Sequence, residues 1–304
     1  MNGCITKQPL LTVFTPTYNR AHTLPRTYAS LQAQRCKDFI WLVVDDGSTD
    51  DTSELVKKWQ QENCGFEIRY LYKPNGGMHS AHNVAYANVD TVLCMAIDSD
   101  DTMADNAVAV ILAKWEEIKN DDRYAGMIGL DADMSTGSVI GTVFPESMTE
   151  TTLSGFYASG GKGDKKLVFR TDRINSVPPY PEFEGEHYVA LSYKPFLLDQ
   201  QYSFAVINLV LTNVEYQPDG SSRNMWRQYL NNPKGFAFWR RIRMLYSENH
   251  IRLIIDCIHY CSSSLLAKDH NYVNDSPCKL LTLICTPAGA VLSLLTRIKG
   301  KYLR

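Results

Sequence analysis

Three apolar runs, each too short for an ordinary helix and each ending in a polar cluster, constrain this chain most. Leu11–Thr15 runs into Thr15-Pro16-Thr17-Tyr18-Asn19-Arg20, Phe39–Val44 into Asp45-Asp46-Gly47-Ser48, and Val92–Ile97 into Asp98-Ser99-Asp100-Asp101. All three read as strands, and the continuous run Phe39–Val44 predicts one buried on both faces. Helical patterns lie between them. Thr23-Leu24-Pro25 starts one, with proline in its first turn and Leu24, Tyr28 and Leu31 on one face. Asp51, with Glu54 three residues on, is expected to cap a second, which buries Leu55, Val56 and Trp59. Glu67–Leu71 reads as a further strand, followed by the Pro74-Asn75-Gly76-Gly77 turn and a short helix from about Ser80. A helix over Asn106–Lys119 and a strand over Tyr124–Leu130 follow. This alternation predicts an α/β fold with a mostly parallel sheet and helices on both faces. Ligands of such sheets gather at the carboxyl ends of the strands, so the three polar clusters are expected to meet.

Each cluster has residues suited to one part of a charged, ring-bearing ligand. Carboxylates at 98, 100 and 101 after a buried strand repel one another, and a divalent cation such as Mg²⁺ or Mn²⁺ relieves that repulsion while sharing phosphate oxygens. Asp98 and Asp100 are the candidate metal ligands, with Ser99 between them. Asp45 and Asp46 are placed to accept hydrogen bonds from a base or ribose. Tyr18 offers a stacking face, and Arg20 a phosphate partner. Asn75-Gly76-Gly77-Met78-His79-Ser80-Ala81-His82-Asn83 puts two glycines before a helix start, where backbone N–H groups favour an anion. His79 or His82 is a candidate diphosphate contact.

The succession TPTYNR, DDGSTDDT, NGGMHSAHN and DSDD resembles the family 2 glycosyltransferases of the Rossmann-like GT-A fold, over about residues 10–105. The resemblance implies that Thr15, Pro16, Thr17, Tyr18 and Asp46 hold the nucleoside, that Asp98 contacts ribose or metal, and that Asp100 binds the metal. It also implies a nucleotide-diphosphate sugar donor, most often a uridine one. Pro181-Glu182-Phe183-Glu184-Gly185-Glu186-His187 is similar to the family's base-bearing segment, which places the catalytic base at Glu186 and implies an inverting transfer to an acceptor hydroxyl. Neither GxGxxG nor GxxxxGK[ST] is present, and no QxxRW segment points to a processive synthase. A non-catalytic partner in a glycan-assembly complex is the rival reading; intact DSDD and Glu186 argue against it.

The expected domains are a catalytic domain over residues 1–222, with a nucleotide half to about 130 and an acceptor half beyond, and a helical region over 223–304. Net charge is −2, which disfavours nucleic acid as a partner. The basic residues Arg223, Arg227, Lys234, Arg240, Arg241 and Arg243 nevertheless interleave with Trp226, Tyr229, Phe236, Phe238 and Trp239. With the uncharged stretch Leu280–Thr296, expected to be broken by Pro287 and Gly289, this predicts attachment to a membrane surface. Met1–Gln8 has no apolar signal segment, so a cytoplasmic protein on the inner face of the membrane is expected, with a saccharide or lipid-linked saccharide as acceptor. The scattered cysteines are expected to be free thiols.

Overall fold

The computed structural model describes residues 8–216 and 225–302. They separate into two compact units. One comprises the described residues up to Pro179 together with Lys194–Glu215; the other comprises Tyr180–Tyr193 and the described residues from Tyr216 onward. The expected boundary at 222/223 lies outside the described residues. The segment Tyr180–Tyr193, grouped with the catalytic domain on sequence, packs with the helices.

In chain order the first unit runs β1 (Leu11–Thr17), α1 (Leu24–Gln32), β2 (Phe39–Asp45), α2 (Thr52–Trp59), β3 (Glu67–Tyr72), α3 (Met78–Asn88), β4 (Leu93–Ala96), β5 (Thr102–Met103) and α4 (Ala107–Ile118). It continues through β6 (Tyr124–Asp133), β7 (Glu150–Thr151), α5 (Leu153–Ala158), β8 (Lys165–Arg170), α6 (Thr171–Ser176), α7 (Tyr193–Leu198) and β9 (Ser203–Val214). The sheet order is β3-β2-β1-β4-β8-β6-β9-β5, with β7 beside β9. β3, β2, β1 and β4 are parallel to their neighbours in that half, and β6 is parallel to β9; β8 runs against both β4 and β6.

Every residue of β1 and β2 is buried, as the continuous apolar run Phe39–Val44 predicted for β2; in β1 three threonines are buried with the apolar side chains. Leu24, Tyr28 and Leu31 of α1 lie in the same core, where Tyr28 stacks on Trp41 and on Trp59. One helix start differs from expectation: the Asp51 side chain makes no cap, and Asp50 accepts from the Thr52 N–H and hydroxyl instead.

After β1 the chain builds β2 and β3 on one side, then returns to lay β4 on the other side of β1. The order in which strands are added therefore reverses between the parallel neighbours β1 and β4, the place where sheets of this kind open a crevice at their carboxyl ends. The register aligns those ends, with Thr17 opposite Asp45 and Phe14 opposite Ala96.

The second unit contains α8 (Met225–Asn231), α9 (Pro233–Leu245), α10 (His250–Leu266), α11 (Tyr272–Asp275) and α12 (Lys279–Tyr302). Its small core is Met244, Cys257, Tyr260, Cys261 and Cys285. Asp256 of α10, 1% exposed, takes Arg240 at 2.6 Å and Arg243 at 3.0 Å, which ties α9 to α10. Two of the arginines expected on a membrane-facing surface thus satisfy a buried carboxylate. Pro287 and Gly289 do not break α12, which passes through both. A Cβ at Gly289 would fall 2.4 Å from the Cβ of Cys261, so glycine is what lets the two long helices approach so closely. The seven described cysteines are all free thiols, and Cys4 lies outside the described residues.

Candidate active site

The loop after β1 and the loop after β2 are tied together at the crevice. The Asp46 N–H donates to the Thr17 carbonyl at 2.8 Å, the Asn19 N–H to the Ser48 hydroxyl at 2.8 Å, and the Thr49 N–H to the Asn19 side chain at 2.8 Å. Asn19 adopts φ +52, a left-handed conformation that asparagine tolerates. The outcome is that Tyr18 stands 49% exposed while the residues before it do not. Thr15, Pro16 and Thr17, expected from the resemblance to hold a nucleoside, are buried inside β1. The Thr15 hydroxyl accepts from the Trp41 indole N–H at 3.0 Å, so it belongs to the core.

Asp45 and Asp46 are also spent on the protein. Asp45, 1% exposed, accepts from the Ser48 N–H and from the Tyr70 hydroxyl. Asp46, 4% exposed, accepts from Lys73 Nζ at 2.6 Å, Gly76 N–H at 2.9 Å, Gly77 N–H at 2.8 Å and Asn75 Nδ2 at 3.2 Å. The glycine N–H groups expected to face a phosphate therefore point at a carboxylate of the same protein. Asp46 acts here as an internal anion that shapes the turn before α3. Gly47, at φ +87, permits this closure, since a Cβ there would sit 2.7 Å from the Asn75 nitrogen. Within α3, Ser80 bonds back to the Gly77 carbonyl, Asn83 is half-buried, and His79 and His82 are buried rather than surface-exposed. His82 meets Phe14 edge-on, and burial, helped by His79, Lys166 and Lys194, depresses its pKa to about 3.

The acidic turn after β4 is held by its backbone, not by its side chains. From α1, Thr27 donates its hydroxyl to the Asp101 carbonyl at 2.8 Å and Arg26 donates to the Asp100 carbonyl. The turn closes through Asp101 N–H on the Asp98 carbonyl at 3.0 Å. Asp98 and Asp100 remain half-buried, and Ser99 is buried. Burial raises the pKa of Asp100, and the neighbouring Asp98 raises it further; Arg20 opposes both, which puts Arg20 beside the acidic turn. Asp101 is turned inward, 3% exposed, and accepts from the Glu215 N–H. Burial, with Asp98 and Asp100 nearby, pushes its pKa up to about 8 against the pull of Lys166.

Two residues that sequence reading passed over belong to this end of the sheet. Lys166 is the second residue of β8, and Asp131 lies near the end of β6. Neither stands in a recognisable motif; only the strand register brings them to the acidic turn.

Residues 12–129 match the family model described as Glycosyl transferase family 2. Over that segment the chain is similar to the family 2 glycosyl transferases. Among relatives of this family, a hyaluronan synthase of Pasteurella multocida is 33% identical over 111 residues, which is 36% of this chain and 11% of that protein. The chain thus spans only a small part of that relative. Among solved structures, S. aureus TarS 1-349 in complex with UDP-GlcNAc superposes with a TM-score of 0.56 at 16% identity, covering 96% of this chain and 91% of that one. A mannosyltransferase of Pyrobaculum calidifontis with GDP-Man and Mn²⁺ gives 0.54 at 17% identity, over 95% and 88%. The fold is that of the GT-A glycosyltransferases.

Glu186 lies in the second unit, away from any strand. Its carboxylate accepts the N–H groups of Lys234 and Gly235, each at 2.9 Å, at the start of α9. Pro233 at the first position of α9 has no N–H to satisfy, and the two that follow are the helix's first orphan donors. Burial raises the pKa of Glu186, against the two backbone donors. Glu182, Glu184 and His187 around it are exposed.

Proposed function

We propose that this protein transfers a sugar from a nucleotide-diphosphate sugar, a uridine one, to a hydroxyl of a saccharide or lipid-linked saccharide. The observation that carries the reading is the meeting of an exposed Tyr18, Arg20 and the Asp98–Asp100 pair at the reversal point of the sheet. Tyr18 offers the base a stacking surface, and Arg20 a phosphate a charged partner. The donor set suits a divalent metal: two half-buried carboxylates, Asp98 close enough to oppose the ionisation of Asp100, on a turn whose backbone is fixed from α1. Among the described residues no third acidic, histidine or cysteine side chain joins them as a cluster. That matches an ion held by one or two carboxylates and shared with phosphates. Asp98 and Asp100 would hold Mn²⁺ or Mg²⁺, which supplies charge neutralisation for the leaving diphosphate.

Glu186 is proposed as the base that takes the proton of the acceptor hydroxyl as that oxygen attacks the anomeric carbon, with inversion. Its raised pKa suits it to hold that proton.

The second unit supports a peripheral position on the inner face of a cell membrane. The inward face of α12 is small and polar, with Thr282, Cys285, Ser293 and Thr296 buried, while Leu280, Ile284, Val291 and Leu294 on its outer face are 59–73% exposed. This is the reverse of a water-soluble helix and the usual arrangement beside lipid. Lys279, Arg297 and Lys299 flank the apolar stretch with charge suited to anionic headgroups.

The test is a thermal-shift screen of UDP- and GDP-sugars with and without Mn²⁺. A metal-dependent rise in Tm is expected with at least one sugar nucleotide; no shift with any of them, with or without metal, defeats the reading.

A further inference from the structure

Lys166 and Asp131 share one face of the sheet. Lys166 pairs with Gly129 across the β8–β6 ladder, and Asp131 lies two residues beyond Gly129, so the two side chains are diagonal neighbours on that face. The β4–β8 register, continued by two residues from Met95 opposite Val168, sets Lys166 beside Ile97, at the root of the acidic turn. Thr212 of β9 is Asp131's partner on the other side.

These groups are not satisfied by one another. Asp131 is 3% exposed, and its Oδ1 has no hydrogen-bond partner among the described residues. The Thr212 hydroxyl, fully buried, has none either. Burial works to lower the pKa of Lys166, but the carboxylates of Asp131, Asp101, Asp98 and Asp164 outweigh it and hold the ammonium charged. No ion pair within 4.0 Å joins Lys166 to Asp131, Asp101 or Asp98 among the described residues. A buried acceptor and a nearby buried cation left apart in this way cost free energy unless a third group completes them.

The charges decide what that group is. A phosphate is repelled by the carboxylates, and an ammonium by Lys166. A neutral group that donates to Asp131 and accepts from Lys166 meets both demands, and a hydroxyl does so. We propose that Asp131 and Lys166, with Thr212, form a recognition site for adjacent hydroxyls of a sugar ring at the acidic turn. The inference rests on the glycosyltransferase reading and deepens it by naming residues that select the sugar. The ring belongs to the donor or to the acceptor, and the experiment separates them.

The test uses the full chain with Lys166→Met and Asp131→Asn, with Mn²⁺ present. Calorimetry is run with UDP alone and with UDP-glucose, UDP-galactose and UDP-GlcNAc. Binding of UDP is expected to stay within about twofold, because the nucleoside is held elsewhere. The best-bound sugar nucleotide is expected to weaken by about 10- to 100-fold, the effect of losing a hydrogen bond to a charged group. If donor affinity is unchanged, saturation-transfer NMR of methyl glucoside, methyl galactoside and methyl N-acetylglucosaminide on the UDP-loaded protein reads the acceptor side. Signals present in wild type and lost in the variants assign the hydroxyls to the acceptor. Folded variants that match wild type in both measurements overturn the inference. Should Asp131→Asn fail to fold, Lys166→Met carries the comparison. A wild-type chain that binds no UDP-sugar removes the proposed function itself, whereas normal binding with unresponsive variants removes only this inference.

Discussion

The carboxylate of Glu186 accepts the backbone N–H of Gly235 at 2.9 Å while its other oxygen takes that of Lys234. That contact caps α9, and the proposed function adds the role of base to the same side chain. The two roles separate by substitution. Glu186→Gln keeps an oxygen for one of the N–H groups but cannot take a proton. It is expected to lower kcat by about 10²- to 10⁴-fold with donor affinity unchanged. Glu186→Ala removes the cap as well, and is expected to lose about 0.5–2 kcal/mol of stability in urea unfolding. A Gln variant with wild-type turnover would leave Glu186 as a cap alone.

Asp46 predicts a second separation. Its four donors come from Lys73, Asn75, Gly76 and Gly77, so Asp46→Ala is expected to release the turn before α3 and leave the Lys73 ammonium without its buried partner. A loss of about 3–5 kcal/mol is expected, the scale for breaking a buried ion pair from one side. Hydrogen exchange of the amides at 76 and 77 reads the release directly; unchanged protection there would contradict the assignment.

His82 makes stability depend on pH. Its pKa is about 3 in the folded protein because burial disfavours the imidazolium. Unfolding restores the ordinary value of about 6.5. A depressed folded pKa means that the unfolded state binds the extra proton, so stability is full above about pH 6.5 and falls as pH drops towards 3. The slope from this group approaches about 1.4 kcal/mol per pH unit within that window. Urea midpoints of wild type and His82→Phe, measured from pH 7 to 4, are expected to converge or cross on acidification. Parallel curves count against it.

The outer face of α12 predicts membrane behaviour without deleting any of the chain. Ile284 and Val291 are 67% and 61% exposed and lie opposite the α10 contact, so Ile284→Asp with Val291→Asp is expected to leave the fold intact. Flotation with vesicles rich in anionic lipid is expected to recover wild type and to lose the double variant, with circular dichroism unchanged. Equal flotation of the two proteins speaks against this face as the contact.

Much of the site was readable before any coordinates, for a local reason. A strand buried on both faces must be apolar throughout, and the polar residues that end it must lie at the sheet edge. The positions of Tyr18, Arg20, Asp98 and Asp100 follow from that rule. Other relationships were not legible because a side chain's partner is set by distant parts of the chain. Asp46 accepts from Gly76 and Gly77 because β2 and β3 bring those loops together. Arg240 and Arg243 face Asp256, not lipid, because α9 packs on α10. Pro287 was expected to break a helix that tertiary packing instead carries straight through.

Periodicity and polar punctuation along the chain were sufficient, then, for the α/β class, the parallel half of the sheet and the edge at which its acidic turn stands. Which carboxylates remain open to a ligand, and that Lys166 and Asp131 join them, was decided only by folding. Strand register couples residues that no local pattern links, and the cost of burying an unpaired charge selects which of them bond to one another.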